Sequence, residues 1–152
     1  MKLLWIDDDL FRDLTERRMS VLMDDDLDLH FAGDATDAYY RLIDKENKYD
    51  AVLFDLQHPA GPDDMWNPYR EKGERRYGVI LLKLVRANVA GKFDHLKNTR
   101  FGVFSIEPKE ANRDLFENPA VNLPEENYMV KTQALDDDTF LDFIKNLKPF
   151  VL

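Results

Sequence analysis

A doubly wound α/β fold around a five-stranded parallel sheet is predicted by three features of this sequence. Short apolar runs alternate with segments of helical periodicity, five times along the chain. Several of these runs are continuously apolar, as strands buried on both faces require. Four of the five end abruptly in a polar or charged residue, which sets a polar rim at one end of the sheet. The chain has 152 residues. That suits one domain spanning residues 1–152 and is long enough to bury a core.

Leu3, Leu4, Trp5 and Ile6 form the first run, which ends in Asp7, Asp8 and Asp9. Residues 10–23 then place Leu10, Leu14, Val21 and Leu22 near helical spacing. Leu27, Leu29 and Phe31 alternate with Asp28 and His30, the period of a half-exposed strand at a sheet edge. Asp34 is positioned to cap a helix carrying Ala38, Tyr39 and Leu42. Ala51 to Phe54 is a buried-type strand that ends in Asp55.

Residues 56–76 contain Pro59, Gly61, Pro62, Pro68 and Gly73 and read as an extended loop. An apolar helix follows from Val79 to Val89, with Gly91 as its stop signal. Phe101 to Phe104 is the fourth strand, ending in Ser105, and 109–117 is a poor helix bounded by Pro108 and Pro119. Tyr128 to Val130 is the fifth strand, ending in Lys131. In the last helix Phe140, Phe143, Ile144 and Leu147 fall at i, i+3, i+4 and i+7, with Asp136 to Asp138 at the end where the dipole favours acids.

Composition narrows the function. There is no cysteine, which excludes disulfides, zinc–thiolate sites and thiol nucleophiles. The formal net charge of -9 disfavours direct binding to nucleic acid. No apolar run approaches the roughly 18 residues of a membrane span. The N-terminal run is too short for a signal sequence and meets acids at once, so the expected location is cytoplasmic.

Ligands of doubly wound sheets bind beyond the carboxyl ends of the strands. Asp7, Asp8, Asp55, Ser105 and Lys131 all fall there, however far apart in sequence. Carboxylates gathered about 4 Å apart repel by roughly 4 kcal/mol per pair at an effective dielectric near 20, so they need a cation. An oxygen-only set with few protein ligands suits Mg²⁺. A carboxylate beside that metal is a competent nucleophile toward a phosphoryl group. With Mg²⁺, Lys131 and Ser105 each taking one equatorial oxygen, every member of the set has a task.

On these residues the chain resembles the receiver domains of bacterial two-component response regulators, above all the single-domain, chemotaxis-regulator-like type. The segments that carry the resemblance are Leu4 to Asp9, Val52 to Pro59, Val103 to Ser105 and Tyr128 to Lys131, in family order along the chain. The resemblance implies the flavodoxin-like strand order 2-1-3-4-5 with helices on both faces. It implies that Asp55 is the phosphoacceptor, that Asp7 and Asp8 hold Mg²⁺ and that the backbone carbonyl of Gln57 completes the metal shell. Pro59 matches the family's loop proline. Ser105 and Lys131 would contact the phosphoryl group, and Tyr128 would be the aromatic that changes rotamer on activation. The implied partners are a histidine kinase or histidine phosphotransfer protein as donor and a downstream protein as output. The domain would be a signalling switch whose chemistry is limited to self-catalysed phosphoryl transfer and autodephosphorylation.

The sequence departs from the family at Ile106, where a small residue is usual, and at Thr132, where proline is usual. The long 56–76 loop and the short 109–117 helix point to a remodelled output face and hence to a monomer or weak dimer. These departures support an alternative, a phosphorylation-independent pseudo-receiver that acts as a protein-binding module. A third reading takes Asp7 and Asp9 as the Asp-x-Asp of a haloacid-dehalogenase-like phosphohydrolase, but leaves Asp55 without a task. Other features have structural explanations. His30, His58 and His95 lack metal-binding spacing, with His30 on an exposed strand and His58 in a loop bordering the site. Trp66, Pro68 and Tyr69 are expected to pack locally.

Overall fold

The structure is a computed structural model, and it describes residues 1–132 and 134–149. Its five strands are β1 (Lys2–Ile6), β2 (Asp28–Ala32), β3 (Ala51–Phe54), β4 (Arg100–Ser105) and β5 (Tyr128–Val130). All pairings are parallel and the order is β2-β1-β3-β4-β5. The helices are α1 (Thr15–Leu22), α2 (Ala35–Ile43), α3 (Asn67–Glu71), α4 (Tyr77–Ala87), α5 (Arg113–Glu117) and α6 (Asp137–Lys145). The predicted fold class, strand order and edge position of β2 are therefore those observed.

Two apolar layers flank the sheet, as its alternating side chains demand. Leu4, Ile6, Val52, Phe54 and Val103 face α2 and α4 through Ala38, Leu42, Leu81 and Val85. Leu3, Trp5, Leu53 and Phe104 face α1 and α6 through Val21, Phe140 and Ile144. Trp5, Phe104 and Phe140 stack on one another with centroids 4.5–6.1 Å apart.

Local chemistry sets the helix ends. The Asp34 side chain accepts the Asp37 amide at 2.8 Å, and that of Asp136 accepts the Thr139 amide at 2.7 Å. Asp34→Ala should cost about 1 kcal/mol in urea denaturation, the usual worth of such a cap; an unchanged midpoint would show that the packing of 59–63 alone holds this end. α4 stops at Asn88, which takes the left-handed conformation with φ 47°, and not at Gly91 as the pattern suggests. The residue tolerates that region because its side chain bonds locally, to Asp94 Oδ1 and from the Phe93 amide. The 10–23 helix begins late, at Thr15, because 8–14 form turns tied by bonds to the Asp9 carbonyl.

The 56–76 segment is not loop throughout: Asp64–Trp66 is a 3₁₀ turn and Asn67–Glu71 is α3. Pro68 lies in the first turn of α3, where its missing N–H costs nothing. Trp66 is fully buried against Tyr39, Tyr69 and Tyr77, and its Nε1 donates to Thr36 Oγ1 at 3.0 Å. Gly61, at φ +82°, lets the chain pass so close to Asp34 and Thr36 that a Cβ would lie 2.6 Å from their oxygens. Local packing of Trp66 is thus what the structure has, and it docks the segment on the N-terminus of α2.

Candidate functional site

The carboxyl ends of β1 and β3 are adjacent in the sheet, with Ile6 opposite Phe54. Asp7 and Asp55 are each the next residue, and the Asp55 amide donates to the Ile6 carbonyl at 2.9 Å. Parallel pairing therefore converts 48 residues of sequence separation into neighbouring carboxylates. Asp8 joins them: one oxygen from each of Asp7, Asp8 and Asp55 lies within 4.8 Å of the others. Asp7 and Asp55 are 1% and 5% exposed, whereas Asp8 is open to solvent. Asp9 stands outside this group, and its amide donates to Asp7 Oδ1 at 2.9 Å.

Lys131 reaches the same point from the end of β5. Its Nζ is 2.7 Å from Asp7 Oδ2 and 3.5 Å from Asp55 Oδ1. The site then holds three carboxylates against one ammonium. Burial, and next the Asp55 charge, raise the Asp7 carboxyl to about 6 in spite of Lys131. Burial and the Asp8 charge likewise raise Asp55. Burial alone would lower Lys131, but the pull of Asp7 and Asp55 outweighs it and keeps the ammonium firmly protonated.

Ser105 ends β4, is fully buried, and accepts the Glu107 amide on Oγ at 3.1 Å. Gln57 is exposed, and its side chain donates to Glu107 Oε1 at 2.8 Å. Ile106 is 68% exposed beside this bridge. Tyr128, on β5, is turned inward: its hydroxyl donates to the Glu107 carbonyl at 2.6 Å and accepts from Asn112 Nδ2 at 3.1 Å. Its burial raises the phenol above its ordinary range. His58 is wholly buried, with Nδ1 donating to the Pro59 carbonyl at 3.2 Å; its burial lowers its basicity and keeps it neutral.

Gly78 is a site residue that the sequence pattern concealed. It lies in the first turn of α4, with its amide donating to the Leu56 carbonyl at 3.2 Å. A Cβ there would overlap the Asp55 carbonyl oxygen and lie 2.8 Å from Leu56 Cα. Gly78 stands just before the apolar pattern that starts at Val79, so the pattern gave no sign that it lies inside the helix. Helix α4 thus buttresses the backbone that presents Asp55.

The donor set fits a small hard cation. It is all carboxylate, has one solvent-open member, and carries excess negative charge that Lys131 leaves uncompensated. Among the described residues, no helix is long and apolar enough to cross a membrane.

No protein-family model and no curated protein matches the chain. Solved structures do. A CheY-like response regulator receiver domain protein from Methanospirillum hungatei JF-1 aligns with TM-score 0.62 and 15% identity, over 95% of this chain and 90% of that one. The response regulatory domain of mrkE from Klebsiella pneumoniae gives 0.61 and 18%, over 97% and 94%. The chemotaxis response regulator CheY4 of Vibrio cholerae gives 0.60 and 16%, over 95% of each. The fold is that of a response-regulator receiver domain.

Proposed function

We propose that the chain is a phosphoacceptor signalling switch, one domain over residues 1–152, that takes a phosphoryl group on Asp55 with Mg²⁺ held by Asp7, Asp8, Asp55 and the Gln57 carbonyl. The supporting observation is the convergence of three carboxylates and the Lys131 ammonium at the carboxyl rim of the sheet. Mg²⁺, when bound, supplies the positive charge that keeps the three acids ionised and neutralises phosphoryl oxygens. Asp55 attacks phosphorus through a carboxylate oxygen. The new O–P bond forms as the bond from phosphorus to the donor's imidazole nitrogen breaks, and the electron pair leaves with the donor. Lys131 pairs with a second phosphoryl oxygen and Ser105 donates its hydroxyl to a third. Tyr128 carries the change at β4 and β5 to a partner surface.

The donor is a histidine kinase or histidine phosphotransfer protein, and the output passes to a downstream protein rather than to nucleic acid directly. The domain acts in the cytoplasm as a monomer or weak dimer. It is a switch and not a turnover enzyme; the phosphohydrolase alternative loses support because Asp9 lies outside the acidic group.

Intact-mass spectrometry after incubation with acetyl phosphate tests the proposal. Wild type with Mg²⁺ should gain one phosphoryl group. Asp55→Asn, or wild type without Mg²⁺, should gain none. No adduct from acetyl phosphate or phosphoramidate, together with no binding at millimolar Mg²⁺, overturns it in favour of a pseudo-receiver.

A further inference from the structure

We propose that Arg76 is a positioning residue: it clamps the loop after β4 and thereby holds Tyr128 in its buried rotamer before any phosphoryl group arrives. Its functional consequence rests on the reading of Tyr128 as the switch. Arg76 is the last residue of the extended segment and immediately precedes α4. Its backbone position is fixed by the two residues that follow it, through the buried Trp66–Tyr77 pair and the Gly78 amide on Leu56.

From there its Nη2 donates to Glu107 Oε2 at 3.2 Å and to Asn112 Oδ1. Asn112 is fully buried, and its two amide protons are shared among the Tyr128 hydroxyl and Glu107 Oε2, each at 3.1 Å, and the Pro108 carbonyl at 3.4 Å. The Tyr128 hydroxyl in turn donates to the Glu107 carbonyl, while the Glu107 amide donates to Ser105 Oγ. Gln57 takes the remaining Glu107 carboxylate oxygen.

The network links the extended segment, the mouth of the Asp55 site and the Tyr128 ring through three side chains. Glu107 and Asn112 both depend on the one guanidinium. Without it, Asn112 Oδ1 is a buried acceptor with no partner and the Glu107 carboxylate loses its cation. The amide must then turn or move toward water, and the tyrosine hydroxyl loses one of its two partners, keeping only the Glu107 carbonyl, whose loop has itself lost the guanidinium. The loop after β4 is therefore set by the extended segment, and phosphoryl transfer acts on a ring already seated.

The test uses the chain labelled with 3-fluorotyrosine, with Tyr128 assigned by Tyr128→Phe, in the absence of Mg²⁺ and of any phosphoryl donor. In wild type the Tyr128 ¹⁹F resonance should be displaced from that of free 3-fluorotyrosine. In Arg76→Ala and Asn112→Ala it should move toward the free value, with no further movement in the double variant, while the resonances of Tyr39 and Tyr77 stay in place. Arg76→Met, which keeps the apolar stem, gives the same readout should the alanine variant not fold. A Tyr128 resonance that stays at its wild-type position in a folded Arg76 variant overturns the clamp. Because neither metal nor donor is present, a chain that never accepts a phosphoryl group still tests it.

Discussion

Gly78→Ala should destabilise the protein by about 2–3 kcal/mol, although alanine is the better helix former by roughly 1 kcal/mol. The added methyl would overlap the Asp55 carbonyl oxygen and approach Leu56 Cα to 2.8 Å. These are backbone atoms of a buried strand end, so neither can rotate away. Helix α4 must lift, and the Leu56–Gly78 hydrogen bond and the packing of Leu81 and Leu82 go with it. Urea denaturation gives the stability loss, and Mg²⁺ titration should show weaker binding because the Asp55 backbone moves. An alanine variant as stable as wild type would mean that α4 is free to shift and does not buttress the site.

Relative to Asp7→Asn, the metal-free protein should gain about 1 kcal/mol of stability between pH 7 and pH 5, and millimolar Mg²⁺ should abolish that gain. The sign follows from Asp7. Its carboxyl titrates near 6 in the fold against 3.8 for the unfolded chain, so ionisation opposes folding. The penalty is fully present above about pH 6 and is relieved as pH falls toward 3.8. Asp55, also raised, acts in the same direction. Carboxyls held low by hydrogen bonds, such as Asp136 and Glu74, work oppositely in more acidic solution, and buried His58, whose basicity is lowered, works oppositely within this window, so the Asp7 contribution is read against Asp7→Asn, in which both effects persist. Asp7→Asn removes the penalty outright and should stabilise the metal-free chain by about 3 kcal/mol at pH 7 while removing the response to Mg²⁺. Urea midpoints at the two pH values, with and without Mg²⁺, measure all of this. No gain over Asp7→Asn from pH 7 to pH 5 would mean that Lys131 already compensates the cluster.

The rim of this site was legible because a polar residue that ends an apolar run is conspicuous and a parallel sheet gathers all such ends on one side. Asp7, Asp8, Asp55 and Lys131 meet as that logic requires. The edge strand, the Asp34 cap and the i, i+3, i+4 face of α6 follow from periodicities of one or two turns. Where local signals conflicted, the reading went astray. The prolines of 56–76 suggested loop, yet Pro68 opens a helix, because proline is tolerated where no hydrogen bond is lost. Gly91 suggested the end of α4, yet Asn88 ends it three residues earlier.

By itself, then, the sequence determined the fold class, the order of its elements and the acidic rim, since each depends on residues close together or on a rule of the sheet. The tertiary structure alone decided how the rim is supported and linked. Gly78 matters through atoms of Asp55 that lie 23 residues away, and Arg76 reaches Asn112 across 36 residues and Tyr128 through it. Such contacts arise from three-dimensional packing, which has no period along the chain and so leaves no pattern in a single sequence to read.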